Sequence, residues 1–97
     1  MVIWTDPAKA DLRSIHDLIA HDSSHYAKKV TLDVVAKMDI LDELPRIGRV
    51  VPELNNENIR ELSLYSYRIL DETKDKDVFV LAVIHRRRDL QPNTVGE

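Results

Sequence analysis

The chain has 97 residues, with no cysteine, two glycines and four prolines. That length makes one small domain held by its hydrophobic core. The missing cysteines exclude disulfides, thiolate catalysis, cysteine-ligated zinc and iron–sulfur clusters. Hydrophobic residues at 43% and charged residues at 32% suit a folded globular protein, and a net charge of −3 excludes a global basic field for bulk nucleic-acid binding. No apolar run approaches the ~20 residues of a bilayer span. Asp6 and Asp11 interrupt the start where a secretory signal would be apolar, so a cytoplasmic protein without membrane contact is expected.

In chain order, Val2-Ile3-Trp4 reads as a first strand with Trp4 in the core. Asp6-Pro7 reads as a helix start, with Asp6 as cap and Pro7 at the first helical position. Ala8, Leu12, Ile15 and Ile19 follow at helical spacing, which carries the helix to about His21. Ser23-Ser24 offers a second cap. Ala27, Val30, Val34, Met38 and Leu41 form the next stripe, and Pro45 ends it. The short link implies an antiparallel helix pair. Residues 46–58, with Gly48, Pro52 and three asparagines, read as an ordered loop whose Val50-Val51 packs under the helices or lines a partner groove.

The period then shortens to two. Ile59–Leu64 places Leu62 and Leu64 on one face, and Tyr65–Asp71 places Tyr67 and Ile69 on one face, with Tyr65 expected to be buried beside Tyr67. Thr73–Asp77 is a charged hairpin turn. Val78–Ile84 is an unbroken apolar run, the mark of a strand buried on both faces. The expected fold is α+β in the order β-α-α-β-β-β, a helix hairpin on a small, mostly antiparallel sheet over residues 1–90, with a loose tail at 91–97.

Charge is unevenly placed. Residues 1–44 carry five basic and eight acidic side chains, whereas residues 45–97 balance and hold seven of the eight arginines. Arginine's planar fork of donors suits carboxylates and phosphates, so an arginine surface in the second half is expected. Asp17 and His21, four apart on the first helix with His25 beyond the turn, read as a surface ion pair rather than a metal site.

Four segments in order carry a family resemblance: Trp4–Leu12, Leu44–Glu53, the pair Ile59–Leu62 and Tyr67–Leu70, and the ending Val83–Leu90 with its His85, Arg88 and Asp89. Together they resemble the RelE/ParE superfamily of bacterial toxins from type II toxin–antitoxin systems. The resemblance implies that fold, growth inhibition, roles such as plasmid stabilisation, and one of two activities. RelE-type members cut messenger RNA on the ribosome, whereas ParE-type members inhibit DNA gyrase and block replication.

Arg68 matches a catalytic arginine of the RelE type. Ile59 and Glu61 stand where that group has lysines, and a carboxylate facing a scissile phosphate is repulsive. No tyrosine follows Arg88. A second ribonuclease style would use Glu53, Arg68 and His85 as base, phosphate ligand and acid. The loop Pro45–Glu53 and the ending His85–Leu90 look closer to ParE, for which no catalytic residue is favoured. The target-binding candidates are then Arg60, Arg68, His85, Arg86, Arg87 and Arg88, while Arg60 and Arg68 could instead brace Glu53 or Glu61 structurally. A degenerate member that binds an antitoxin without toxicity is a third alternative.

The implied partners are a cognate antitoxin and DNA gyrase, or in the alternative the ribosome and mRNA. DNA would be reached only indirectly, through the antitoxin, and no cofactor or metal is implied. An acidic helical half would suit a basic antitoxin segment and an arginine-bearing half an acidic one; the sequence leaves that choice open.

Overall fold

The computed structural model describes residues 1–87. Strand β1 (Val2–Trp4) leads into helices α1 (Asp6–Ala20) and α2 (Ser24–Asp39), a 3-10 turn at Ile40–Asp42, and strands β2 (Arg49–Val50), β3 (Ile59–Leu64), β4 (Tyr67–Lys74) and β5 (Asp77–His85). The expected α+β fold is observed, with one strand more than expected, because Arg49 and Val50 pair with Glu61 and Arg60 inside the segment read as a loop. The expected tail, Leu90 and the pair Arg88 and Asp89 lie outside the described residues.

Cap chemistry sets the helix boundaries. Thr5, not Asp6, caps α1: its hydroxyl accepts the Ala8 N–H at 3.3 Å and itself donates to the Val80 carbonyl at 2.7 Å. Asp6 and Pro7 then occupy the first turn, where a carboxylate suits the helix dipole and a missing N–H costs nothing. Ser23 caps α2 through the Tyr26 N–H at 3.1 Å, as its position suggested. No helix among the described residues is long and apolar enough to cross a membrane.

The strands form one sheet in the order β1-β5-β4-β3-β2, with β1 and β5 parallel and the other pairs antiparallel. β1 covers only Val78–Val80 of β5. Beyond it, the Asp11 carboxylate of α1 accepts the Val83 N–H at 3.0 Å. The helices cover one face through Ala8, Val30, Val34, Met38, Leu41, Ile69, Val78, Val80 and Val83. Trp4 is only half-buried: one side packs on this core. On the other face Val51, Leu70 and Ile84 make a second, smaller cluster with Leu54 and Ile59. β5 is thus buried on both faces, as its apolar run predicts. Val51 packs on the face away from the helices, not beneath them.

The β4–β5 hairpin is tighter than expected, and the β3–β4 hairpin turns through Tyr65 and Ser66, which were read as the start of a strand. β4 runs on to Lys74, and only Asp75-Lys76 connect it to β5, with Asp75 at φ 55°. Tyr65 lies at the β3–β4 turn, exposed and at φ 55°, rather than buried beside Tyr67. An aromatic residue in the left-handed region is strained by about 1–3 kcal/mol. Contacts to α2 offset that strain. The Tyr65 hydroxyl donates to Asp33, Lys29 bonds both groups, and the Tyr26 ring meets Tyr65 edge-on at 6.4 Å. The Tyr65 and Lys29 bonds hold the Asp33 carboxyl below its usual range.

Asp71 continues the inward phase of Tyr67 and Ile69 and is fully buried opposite Val80. Neither its carboxyl oxygens nor the Thr73 hydroxyl has a hydrogen-bond partner among the described residues. Burial raises the Asp71 carboxyl to about 7, against a smaller opposing pull from Arg60. The native state therefore holds this proton more tightly than the unfolded chain. The stability it contributes is complete below about pH 4 and is lost as pH rises towards 7, by about 4 kcal/mol at most. Chemical denaturation of Asp71→Asn between pH 4 and 8 is expected to show a flatter profile than the wild type and greater stability at pH 8. An unchanged slope would show that Asp71 does not carry this dependence.

Candidate functional site

The face of the sheet away from the helices carries a charge cluster that the strand register assembles. Glu61 on β3 pairs across to Leu70 on β4 and Arg49 on β2, while Arg68 on β4 lies opposite Ser63 and Ile84. Alternation puts Glu61, Arg68 and Arg49 on one side of three adjacent strands. The segment after β2 then folds back so that Glu53 closes over Arg68, beside the apolar patch of Val51, Leu54 and Ile59. Gly48 permits the close approach before β2: a Cβ there would stand 2.7 Å from the Glu61 carbonyl oxygen.

Arg68 is the centre of the cluster. Its Nε donates to Glu61 at 2.5 Å and one terminal nitrogen to the same carboxylate at 3.2 Å. Both terminal nitrogens donate to Glu53, at 2.7 and 2.8 Å, in a two-pronged fork. Side-chain exposure is 8% for Arg68, 1% for Glu61 and 21% for Glu53. Arg49, 70% exposed, adds a bond to Glu61 at 2.9 Å. The two carboxylates, Glu53 first, push the Arg68 guanidinium above its already high value, so it is a permanent cation.

Around this pair opens a cleft of about 770 Å³ lined by Arg49, Pro52, Glu53, Ser63, Arg68 and Arg86. Arg86 and Arg87 follow the end of β5 and are exposed. His85 sits elsewhere. It pairs with Tyr67, whose side chain packs towards the helices, and its ring meets the Tyr67 ring edge-on at 6.1 Å. Its Nδ1 accepts the Arg87 N–H at 3.2 Å. The structure therefore brings Glu53 and Arg68 together and leaves His85 on the opposite side of the sheet.

Arg60 also points away from the cleft, its strand position facing Asp71. It braces the loop, donating to the carbonyls of Gly48 at 2.9 Å and Glu57 at 3.2 Å. Arg88 lies outside the described residues. Asp17 pairs with the adjacent His16 at 3.1 Å, not with His21. Among the described residues no group of His, Cys, Asp or Glu could hold a metal ion. Sequence reasoning missed Arg49 and assigned Glu61 no role beyond a bracing partner. The signal for Glu61 was present: an acid on the alternation face opposite Leu62 and Leu64, seven residues before an arginine on the next strand.

Chemically, the cluster is a buried ion network with an electropositive mouth. Both oxygens of Glu53 accept from Arg68, which commits them to a cation rather than to a substrate proton. Removing the cation alone leaves Glu61 buried and charged, at a cost of about 3–5 kcal/mol, whereas replacing both ions by apolar groups is far better tolerated. Urea denaturation is expected to show that loss for Arg68→Met and recovery of at least half of it on adding Glu61→Leu. Equal stability of Arg68→Met and wild type would mean the network contributes nothing.

Comparison with known proteins gives the family. No curated protein matches the chain significantly. Among solved structures, a chain described as belonging to a chromosomal ParDE TA system from P. aeruginosa superposes with a TM-score of 0.73 at 24% identity, covering 87% of this chain and 92% of that one. At that identity the likeness speaks for the fold. The sequence family of ParE toxins of the type II toxin–antitoxin system parDE matches residues 2–90, nearly the whole chain and every element described above, and the chain belongs to that family.

Proposed function

We propose that this ParE-family chain inhibits DNA gyrase, blocks replication, and is neutralised by a cognate antitoxin. The observation that carries the reading is the lock on Arg68. A ribonuclease of the Glu–Arg–His style needs a base, a phosphate ligand and an acid converging on one phosphate. Here the base is bonded to the phosphate ligand, and the acid lies across the sheet. Inhibition by surface binding needs no such convergence. It needs an exposed patch of anchors, and arginine is among the residue types that dominate binding energy.

Arg86 and Arg87 supply such a patch beside the cleft, with Arg49 across it and Arg88 next in the sequence. They are the target-facing residues of the proposal. Arg68 and Arg60 are positioning residues, one holding the cluster and the other the loop. The target is cytoplasmic, which places the toxin there.

The test is a supercoiling assay with purified gyrase and toxin freed of antitoxin. Supercoiling is expected to be lost and cleaved DNA to accumulate, and added antitoxin should restore activity. Arg86→Ala with Arg87→Ala should weaken inhibition by about tenfold or more, a hot-spot-sized loss, at an unchanged melting temperature. Unaffected gyrase, together with mRNA cleavage on ribosomes that depends on Glu53, Arg68 and His85, would replace this reading with the ribonuclease one.

A further inference from the structure

The turn between β3 and β4 joins two parts of the chain that are distant in sequence, the outer side of α2 and the arginines that follow β5. On one side Tyr65 reaches α2. Its hydroxyl donates to Asp33, and the Lys29 ammonium donates to the same carboxylate at 2.9 Å and to the Tyr65 hydroxyl at 3.3 Å. The Tyr26 ring meets the Tyr65 ring edge-on. On the other side the Ser66 carbonyl accepts the Arg86 N–H at 2.8 Å. Tyr65 and Ser66 are adjacent and both exposed, so burial in the core fixes neither of them.

The Ser66 bond decides where Arg86 points. β5 ends at His85, opposite Tyr67, and Arg86 lies one residue beyond. Alternation puts Ile84 on the face of Arg68 and His85 on the face of Tyr67. Arg86 returns to the face of Arg68, where it lines the cleft, only while the backbone keeps to the ladder for one more residue. The bond to Ser66 carries the ladder that far. Ser66 itself follows Tyr65 at φ 55°, a conformation that a tyrosine keeps only where its surroundings hold it. Asp33, Lys29 and Tyr26 of α2 supply that hold. We infer that Tyr65 is a positioning residue for target binding: α2, through Asp33 and Lys29, holds the β3–β4 turn in the place where Ser66 aims Arg86 into the cleft. The inference rests on the proposal that Arg86 faces the target, and it adds the helix that sets the direction of that arginine. An anchor whose backbone is already fixed loses less freedom on binding, which is how a contact on the far layer strengthens affinity.

Two variants separate the tether from the turn. In Tyr65→Asn the new side chain accepts a positive φ but is too short to reach α2. Asp33→Ala removes the acceptor on α2 and leaves the turn's own sequence intact. The experiment uses full-length toxin, with circular dichroism as the check on folding, and reads amide hydrogen exchange at Arg86 together with inhibition of gyrase supercoiling. Both variants should speed exchange of the Arg86 amide at least about tenfold beyond any change in the buried part of β5. Both should weaken inhibition about fivefold in the wild-type background and less than about twofold where Arg86 and Arg87 are already replaced by alanine, since the turn acts through those arginines. An Arg86 amide that exchanges as slowly in both variants as in wild type would overturn the inference. Equal weakening in the two backgrounds would overturn it too, because Tyr65 would then act through general stability. Wild-type toxin that leaves gyrase active would overturn the gyrase reading, and the exchange rates alone would then decide whether α2 fixes Arg86.

Discussion

The Arg68 guanidinium, held between Glu61 and Glu53, fastens the loop after β2 to strands β3 and β4. Two helices can cover only one face of a five-stranded sheet. The other face has a small apolar patch, Val51, Leu70 and Ile84, too small to fasten a loop by burial alone. The ion network completes the closure. Glu61 is fixed in the sheet, Arg68 crosses to it from the next strand, and Glu53 brings the loop down onto both. Because the carboxylate in the sheet is almost wholly buried, the cation cannot leave without stranding a charge, which makes this small contact rigid.

The same arrangement divides the arginines by role. Arg68 and Arg60 point to opposite faces, and both use their donors internally, on carboxylates and on loop carbonyls respectively. Arg49, Arg86 and Arg87 remain at the surface. A row of arginines that looks uniform in the sequence thus holds two braces and a solvent-facing group, and burial sorts them.

Much of the fold was legible because it depends on local periodicity. The helical stripes, the Ser23 cap and the apolar run of β5 each follow from neighbouring residues alone. What was not legible depends on pairing at a distance. β2 is two residues long and exists only because β3 offers it an edge. Tyr65 is held in a backbone conformation its own propensity disfavours by Asp33 and Lys29 of a helix thirty-odd residues earlier. Thr5 displaced Asp6 as the α1 cap because its hydroxyl also serves the Val80 carbonyl of β5. The candidate site was half legible. Glu53 and Arg68 were named and are in contact, but His85, directly before the arginine run that starts at Arg86, takes the other face through strand alternation. Asp71 could have been found by the same alternation, since it continues the inward phase of Tyr67 and Ile69.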